Sequence, residues 1–432
     1  MSRSSTSPRL HRAFATFVLV GLALFVATPL TQAQDAVRPS LAGQAAAEAR
    51  RQDIDNIPYN LMLGPIKFRL SATMGIEYND NINLADDGNR QEDFILRPQI
   101  NINALWPITQ LNTLRVDIGL GYAAYLDHSD ANTNGILLAP NSQIAFDVFV
   151  GDFRINFHDR FSLQQDPISQ LAVSNVIDYG RFENYAGIGV LWDLNKAVVT
   201  LNYDHYNYIS TTSAFDYLNR NADQIGGTLS FSLTNTTSVG VEGSYVRTYY
   251  DDVVLNDSDT LSGGGFVETQ ITNYLKLRIA GGYQHISFDD SVVRLFGFSI
   301  FQDRPNANDY YANILISHRL NSVITQSLSA GHETQLGINS NYITLNYIRH
   351  TITWNLIRNT LLGTEFFYED ADDSGGFINE HLHRFGGALT VGYQLTQHVT
   401  LGLRYQYTQK DSDIAGRDYR QNRVGLDGTY SF

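Results

Sequence analysis

From Ile66 to Tyr78 every second residue is apolar. Ile66, Phe68, Leu70, Ala72, Met74, Ile76 and Tyr78 alternate with Lys67, Arg69, Ser71, Thr73, Gly75 and Glu77. Period-two alternation marks a strand with one greasy and one polar face. Strands in soluble proteins average about five or six residues. A tilted membrane-crossing strand needs about nine to eleven. This run exceeds both, and similar runs recur at 114–122, 153–164, 275–284 and 399–408. Length and repetition point to an all-β fold, a transmembrane antiparallel up-and-down β-barrel. The soluble alternatives are a β-helix or a large jelly roll, whose strands are shorter and whose repeats are tighter.

The connections alternate between short and long. Short turns are expected at Pro107-Ile108-Thr109, Gly151-Asp152, Asn195-Lys196, Thr234-Asn235-Thr236, Thr272-Asn273, Asn321-Ser322, Arg358-Asn359 and Thr396-Gln397-His398. Long loops are expected at 79–91, 166–181, 211–220, 251–257, 289–306, 370–380 and 410–418. Outer-membrane barrels have short periplasmic turns and longer extracellular loops. Eight short turns join nine hairpins, which predicts eighteen strands, or sixteen if one hairpin is misread. The segments 139–150 and 342–356 keep their parity poorly.

Aromatic residues test this register. Trp106, Trp192 and Trp354 fall at the ends of even-numbered strands, just before a short turn, and Tyr393 and Phe432 occupy equivalent ends. Tyrosines crowd the opposite ends, at Tyr78, Tyr122, Tyr206, Tyr249 and Tyr405. Two aromatic girdles at the two interfaces are a property of membrane barrels. The last strand, ending Val424, Leu426, Tyr430, Phe432 on its greasy face, resembles the terminal strand by which outer-membrane proteins engage the barrel assembly machinery.

Residues 1–33 read as a secretory signal peptide. Arg3, Arg9 and Arg12 precede an apolar stretch from Phe14 to Ala27, and Thr31-Gln32-Ala33 supplies the small residues of a cleavage site. Residues 34–65 read as a periplasmic leader and 66–432 as the barrel. The chain has no cysteine, which removes thiolate ligands and nucleophiles. It carries 44 acidic against 30 basic side chains, so nucleic acid is not an expected partner. The expected location is the outer membrane of a Gram-negative bacterium, with outer-membrane lipid as the immediate partner.

With one face assigned to lipid, the other becomes a lumen wall. Its candidate lining residues are Arg69, Arg115, Asp117, Arg154, His158, Arg160, Arg278, Arg319, Arg404 and Arg423. Such a wall has mixed charge, and a barrel of this size encloses an aqueous channel. No enzymatic constellation emerges. His158 and Asp159 fall on opposite faces of a strand. Gly331-His332-Glu333-Thr334 lacks the second histidine of a helix-borne zinc site. Asp370, Asp372 and Asp373 lack the glutamate that completes a calcium loop. The expectation is no catalytic residue, no metal and no cofactor.

Gly75-Ile76-Glu77-Tyr78-Asn79-Asp80-Asn81-Ile82, and Phe153-Arg154-Ile155-Asn156-Phe157-His158-Asp159-Arg160-Phe161 after a Gly-Asp turn, resemble the putative β-barrel porin 2 family. The resemblance spans Ile66 to Phe432. It implies an outer-membrane porin and an association with exopolysaccharide export, with polysaccharide and export-system proteins as partners. Two functions are therefore expected to compete. One is a porin-like channel for polar solutes, above all in exopolysaccharide export. The other is a non-conducting outer-membrane anchor or scaffold for a surface-polymer assembly. The loop 289–306, with Leu295, Phe296, Phe298, Ile300 and Phe301, is apolar for a water-facing segment. It is expected to constrict the lumen or to lie on a partner.

Overall fold

A computed structural model describes residues 59–432, apart from Gln110, Phe296 and Arg358. The predicted signal peptide and nearly all of the leader lie outside the described residues. Eighteen long strands run β1 Ile66–Asn79, β2 Asp93–Pro107, β3 Asn112–Gly121, β4 Leu137–Val150, β5 Phe153–Gln164, β6 Arg181–Asp193, β7 Ala197–Ser210, β8 Arg220–Ser232 and β9 Thr237–Tyr250. They continue as β10 Ser258–Thr272, β11 Leu275–Phe288, β12 Asn306–Arg319, β13 Ile324–Leu336, β14 Tyr342–Ile357, β15 Thr360–Asp373, β16 His381–Gln394, β17 Val399–Ser412 and β18 Tyr419–Ser431. Each pairs antiparallel with its sequence neighbours. β1 also pairs with β18, from Ser71 opposite Ser431 to Asn79 opposite Arg423, which closes the barrel. Closure removes the open edge over that span, the condition for strands to cross a bilayer.

The edge left at the start of β1 is managed separately. β18 ends opposite Ser71, so Ile66 to Leu70 would present unpaired backbone. The chain turns at Gly64, whose φ of +58° suits glycine, and Leu61–Leu63 pairs back onto Ile66–Phe68. The Asn60 amide donates to the Leu70 carbonyl (2.7 Å), and the Phe432 backbone N–H donates to the same oxygen (3.2 Å).

All eight short turns fall where the sequence places them. Asn195 and Asn359 take φ of +70° and +72°, a conformation asparagine tolerates. The two segments of poor parity are full strands with local irregularities. In β4 the register against β3 and β5 slips around Pro140, which has no N–H to give the ladder. In β14 a bulge lies between Asn355 and Ile357.

Several strands outrun the roughly nine to eleven residues a membrane requires. Their long-loop ends carry polar residues on both faces. The predicted loops at 370–380 and 410–418 are therefore shorter than expected, because β15 reaches Asp373 and β17 reaches Ser412. Asp370 and Asp372 sit on one face of β15. Asp373 sits on the other, where it accepts from Ser340 Oγ (3.0 Å). That alternation rules out a calcium-loop cage from these three.

The tryptophan and terminal aromatic positions lie toward the short-turn end. Trp106, Trp192, Tyr393 and Phe432 are exposed on the apolar outer face. Trp192 stacks on Phe153 (centroids 5.3 Å apart), and Trp354 packs against Ile324, Ile352 and Leu362.

Candidate functional site in the lumen

Contacts that skip a strand identify the concave face, since only there do next-but-one strands lean together. Arg278 on β11 reaches Glu242 on β9 (2.7 Å). His158 on β5 meets Asp204 on β7 (2.6 Å), and Arg160 joins the same carboxylate (3.3 Å). Arg404 on β17 reaches Glu77 on β1 (2.6 Å), while Arg423 donates to Glu77 from β18 (2.7 Å).

The remaining predicted wall residues share that face by register. Asp147 joins Arg115 (2.6 Å) and Arg154 (3.1 Å). Asp117 accepts from Asn103 (2.8 Å) and Gln143 (3.1 Å). Arg69 is half-buried below Glu77. Arg319 is exposed at the short-turn end, with its guanidinium over the Tyr274 ring (5.6 Å). The structure thus gathers most of these cations into carboxylate-paired groups. Asp159 points the other way and accepts from Asn184.

Sequence reasoning missed what these groups hold in place. The segment between β5 and β6, residues 165–180, folds inward and crosses to the opposite wall. Its start is locally specified. Asp166 caps the short helical turn Pro167–Ser169 by accepting from the Ile168 N–H (3.1 Å), and proline at the first helical position is preorganised for that turn. Beyond the cap, Leu171 and Ala172 bury themselves against Ile343, Leu345, Ala371 and Leu382 of β14, β15 and β16.

Polar ties flank this apolar plug. Arg384 of β16 donates to the Ile168 carbonyl (2.7 Å). Lys410 of β17 donates to Ser174 Oγ (3.1 Å), which in turn donates to the Arg417 carbonyl (2.9 Å). Asn175, at φ +60°, donates to the Gly416 carbonyl (2.8 Å). At the root of the crossing, Asp166 pairs with Arg423 (2.7 Å).

This crossing segment meets a cluster in which charge nearly balances. Arg97, Arg404 and Arg423 surround Glu77, and Asp166 and Asp427 add two further carboxylates. Burial would raise the Asp166 carboxyl, but the guanidiniums of Arg423 and Arg97 outweigh it and hold the group below the ordinary carboxylate range. Asp178, on the same segment, shows the opposite balance. Burial raises it, against hydrogen bonds from Thr212 and the Gly180 N–H.

Above the crossing, the long loops converge on an aromatic roof. Tyr179 packs edge-on to Phe215 (centroids 4.6 Å apart), Tyr217 meets Phe377 (6.1 Å), and Phe377 meets Phe301 (6.1 Å). Val173, Leu218, Leu255 and Val293 are buried in the same cluster. The loop 289–305 is part of this roof. Val292–Leu295 and Phe298–Gln302 form a small hairpin, with Val293 and Phe301 turned into the cluster and Phe298 and Ile300 exposed. The loop expected to constrict the lumen or to lie on a partner thus turns Val293 and Phe301 into the same cluster as Val173 and Tyr179 of the crossing segment. The available signal was Leu171-Ala172-Val173 and Val176-Ile177, an apolar run in a segment otherwise read only as one of the long loops.

The short-turn half differs in character. A cavity of about 630 Å³ opens there, lined by Ser238, Gln270, Ser317, Thr351, Thr353 and Arg319 among others. The lumen is thus a hydroxyl-lined vestibule beneath a charged, loop-crossed waist.

A family model described as Putative beta-barrel porin 2 matches residues 63–432. No curated protein matches by sequence. Among solved structures, the chain is similar in fold to Pseudomonas aeruginosa OccK2 (OpdF) in complex with glucuronate, at 11% identity and a TM-score of 0.48 over 86% of this chain and 100% of that one. It is similar to a BenF-like porin from Pseudomonas fluorescens at 11% identity and 0.48, covering 84% and 99% of the two chains. Pseudomonas aeruginosa OpdK with vanillate gives 10% identity and 0.47, covering 84% and 99%.

Proposed function

The chain belongs to the Putative beta-barrel porin 2 family, and from that premise we propose that its channel passes small polar solutes one at a time past the segment 165–180. The protein is a porin-like barrel of the Gram-negative outer membrane. The observation that carries the finer reading is the tethered crossing: a built segment, held by Arg423, Arg384 and Lys410, divides the lumen between a mixed-charge waist and a polar vestibule. A wall of paired charges and hydroxyls offers a permeant solute hydrogen bonds without a deep electrostatic trap. An extended polysaccharide would need the crossing and the roof displaced together, so export of such chains draws no support from these contacts. Assembly through the terminal strand by the barrel assembly machinery belongs to the same proposal.

The aromatic roof favours the competing reading, a non-conducting scaffold. Planar-bilayer recording of the refolded barrel, with liposome swelling in sugars of increasing size, separates the two. Conductance with swelling limited to the smallest solutes is the expected result. Absence of any conductance establishes the scaffold instead, and equal swelling in large oligosaccharides restores polymer passage.

A further inference from the structure

On the outer face of the barrel, at its long-loop end, β15 and β16 bring together Asp370, His381 and His383. Residues two apart on a strand share a face. His381 and His383 therefore project side by side, and the register sets Asp370 opposite His383 and Asp372 opposite His381. The two Nε2 atoms are 3.2 Å apart. Asp370 Oδ1 lies 3.9 Å from His381 Nε2 and 3.2 Å from His383 Nδ1. All three side chains are half-exposed. They stand above Tyr368, whose hydroxyl is 3.2 Å from His383 Nδ1, so the group lies past the aromatic girdle on the external side.

We propose that this group is a binding site for a late first-row divalent cation of the zinc, nickel or copper type. An ion about 2.0–2.1 Å from two nitrogens in tetrahedral geometry sets them about 3.3 Å apart, which matches the imidazole spacing here. The donor set selects the class. Calcium and magnesium take oxygen ligands in larger number, whereas imidazole with carboxylate suits zinc, copper and nickel. The orientation is also in place. His381 Nδ1 lies 2.7 Å from Asp372, and with Nδ1 donating there, Nε2 keeps its lone pair for the ion. A carboxylate behind a ligating histidine is the usual second partner of such sites. The helix-borne zinc pattern excluded above does not bear on strands, where the i, i+2 spacing does the pairing. The ion would clip the two strands at the base of the loop that carries Phe377 into the roof.

The test uses the full, tag-free folded barrel in detergent, titrated with Zn²⁺ against a chromophoric chelator. One equivalent bound, undisturbed by millimolar Ca²⁺, is the expected result. The H381A/H383A double variant should lose that equivalent, and Asp372→Asn should weaken it about tenfold. No stoichiometric uptake, displacement by Ca²⁺, or unchanged affinity in the double variant overturns the site. Should the double variant fail to fold, Cu²⁺ loaded on the wild-type chain decides by electron paramagnetic resonance. Superhyperfine coupling to two nitrogens supports the site, and an all-oxygen spectrum overturns it.

Discussion

Replacing Leu171 by alanine should unlock the crossing segment while leaving the barrel intact. Leu171 is buried against Ile343, Leu345, Ala371 and Leu382, yet its backbone belongs to none of the eighteen ladders. Truncation removes about three carbon groups from that contact. At about 0.8 kcal/mol per buried CH₂ the docked state loses roughly 2 kcal/mol. That is about a thirtyfold shift in the docked-to-released ratio, since about 1.4 kcal/mol is tenfold. The polar ties to Arg423, Arg384 and Lys410 remain. The expected outcome is therefore frequent opening rather than permanent release. Single-channel recording should show larger and noisier conductance in L171A. The temperature at which the folded form is lost on a gel should not move, because strand pairing is untouched. Conductance identical to wild type would refute the claim that this segment sets the constriction. A large loss of barrel stability would refute its independence from the wall.

Three further outcomes are expected. The crossing should respond to pH in two opposite phases. Asp178, raised by burial, opposes docking once ionised, so acidification from neutrality toward its raised value tightens the segment. Asp166, held below the ordinary carboxylate range mainly by Arg423 despite its burial, supports docking above the unfolded value of about 3.9, and that support is lost as pH falls through its depressed folded value. Conductance should fall and then rise on acidification, and Asp178→Asn should abolish only the first phase. Glu77→Gln leaves Arg97, Arg404 and Arg423 without their shared carboxylate. Breaking a buried pair from one side costs about 3–5 kcal/mol, so urea titration followed by tryptophan fluorescence should show a lower midpoint. Deleting Phe432, which donates its N–H to Leu70, should reduce the assembled fraction in outer membranes far more than the unit conductance of barrels that do insert.

The alternation in Ile66–Tyr78 and its successors already specifies strands, faces and a membrane. The short turns narrow the strand count to eighteen or sixteen, and Trp106, Trp192 and Trp354 give the level of one interface. These properties are legible because they are local: a period of two, a turn residue, an aromatic at a strand end. The mixed-charge wall is legible for the same reason, since Arg115, Arg154 and Arg278 occupy the polar parity of their strands. Their partners are not legible. Glu77 meets Arg404 and Arg423 only because β1 closes on β18, more than three hundred residues along the chain. The path of residues 165–180 is hidden in the same way. Leu171 and Ala172 advertise an apolar need, and only closure of the ring brings β14, β15 and β16 into position to meet it. The histidine pair on β16 acquires Asp370 and Asp372 through register with β15. Local patterning alone determined that this chain makes a barrel with a polar lumen. What narrows that lumen was decided by tertiary structure, because it depends on which distant surfaces the closed ring sets face to face.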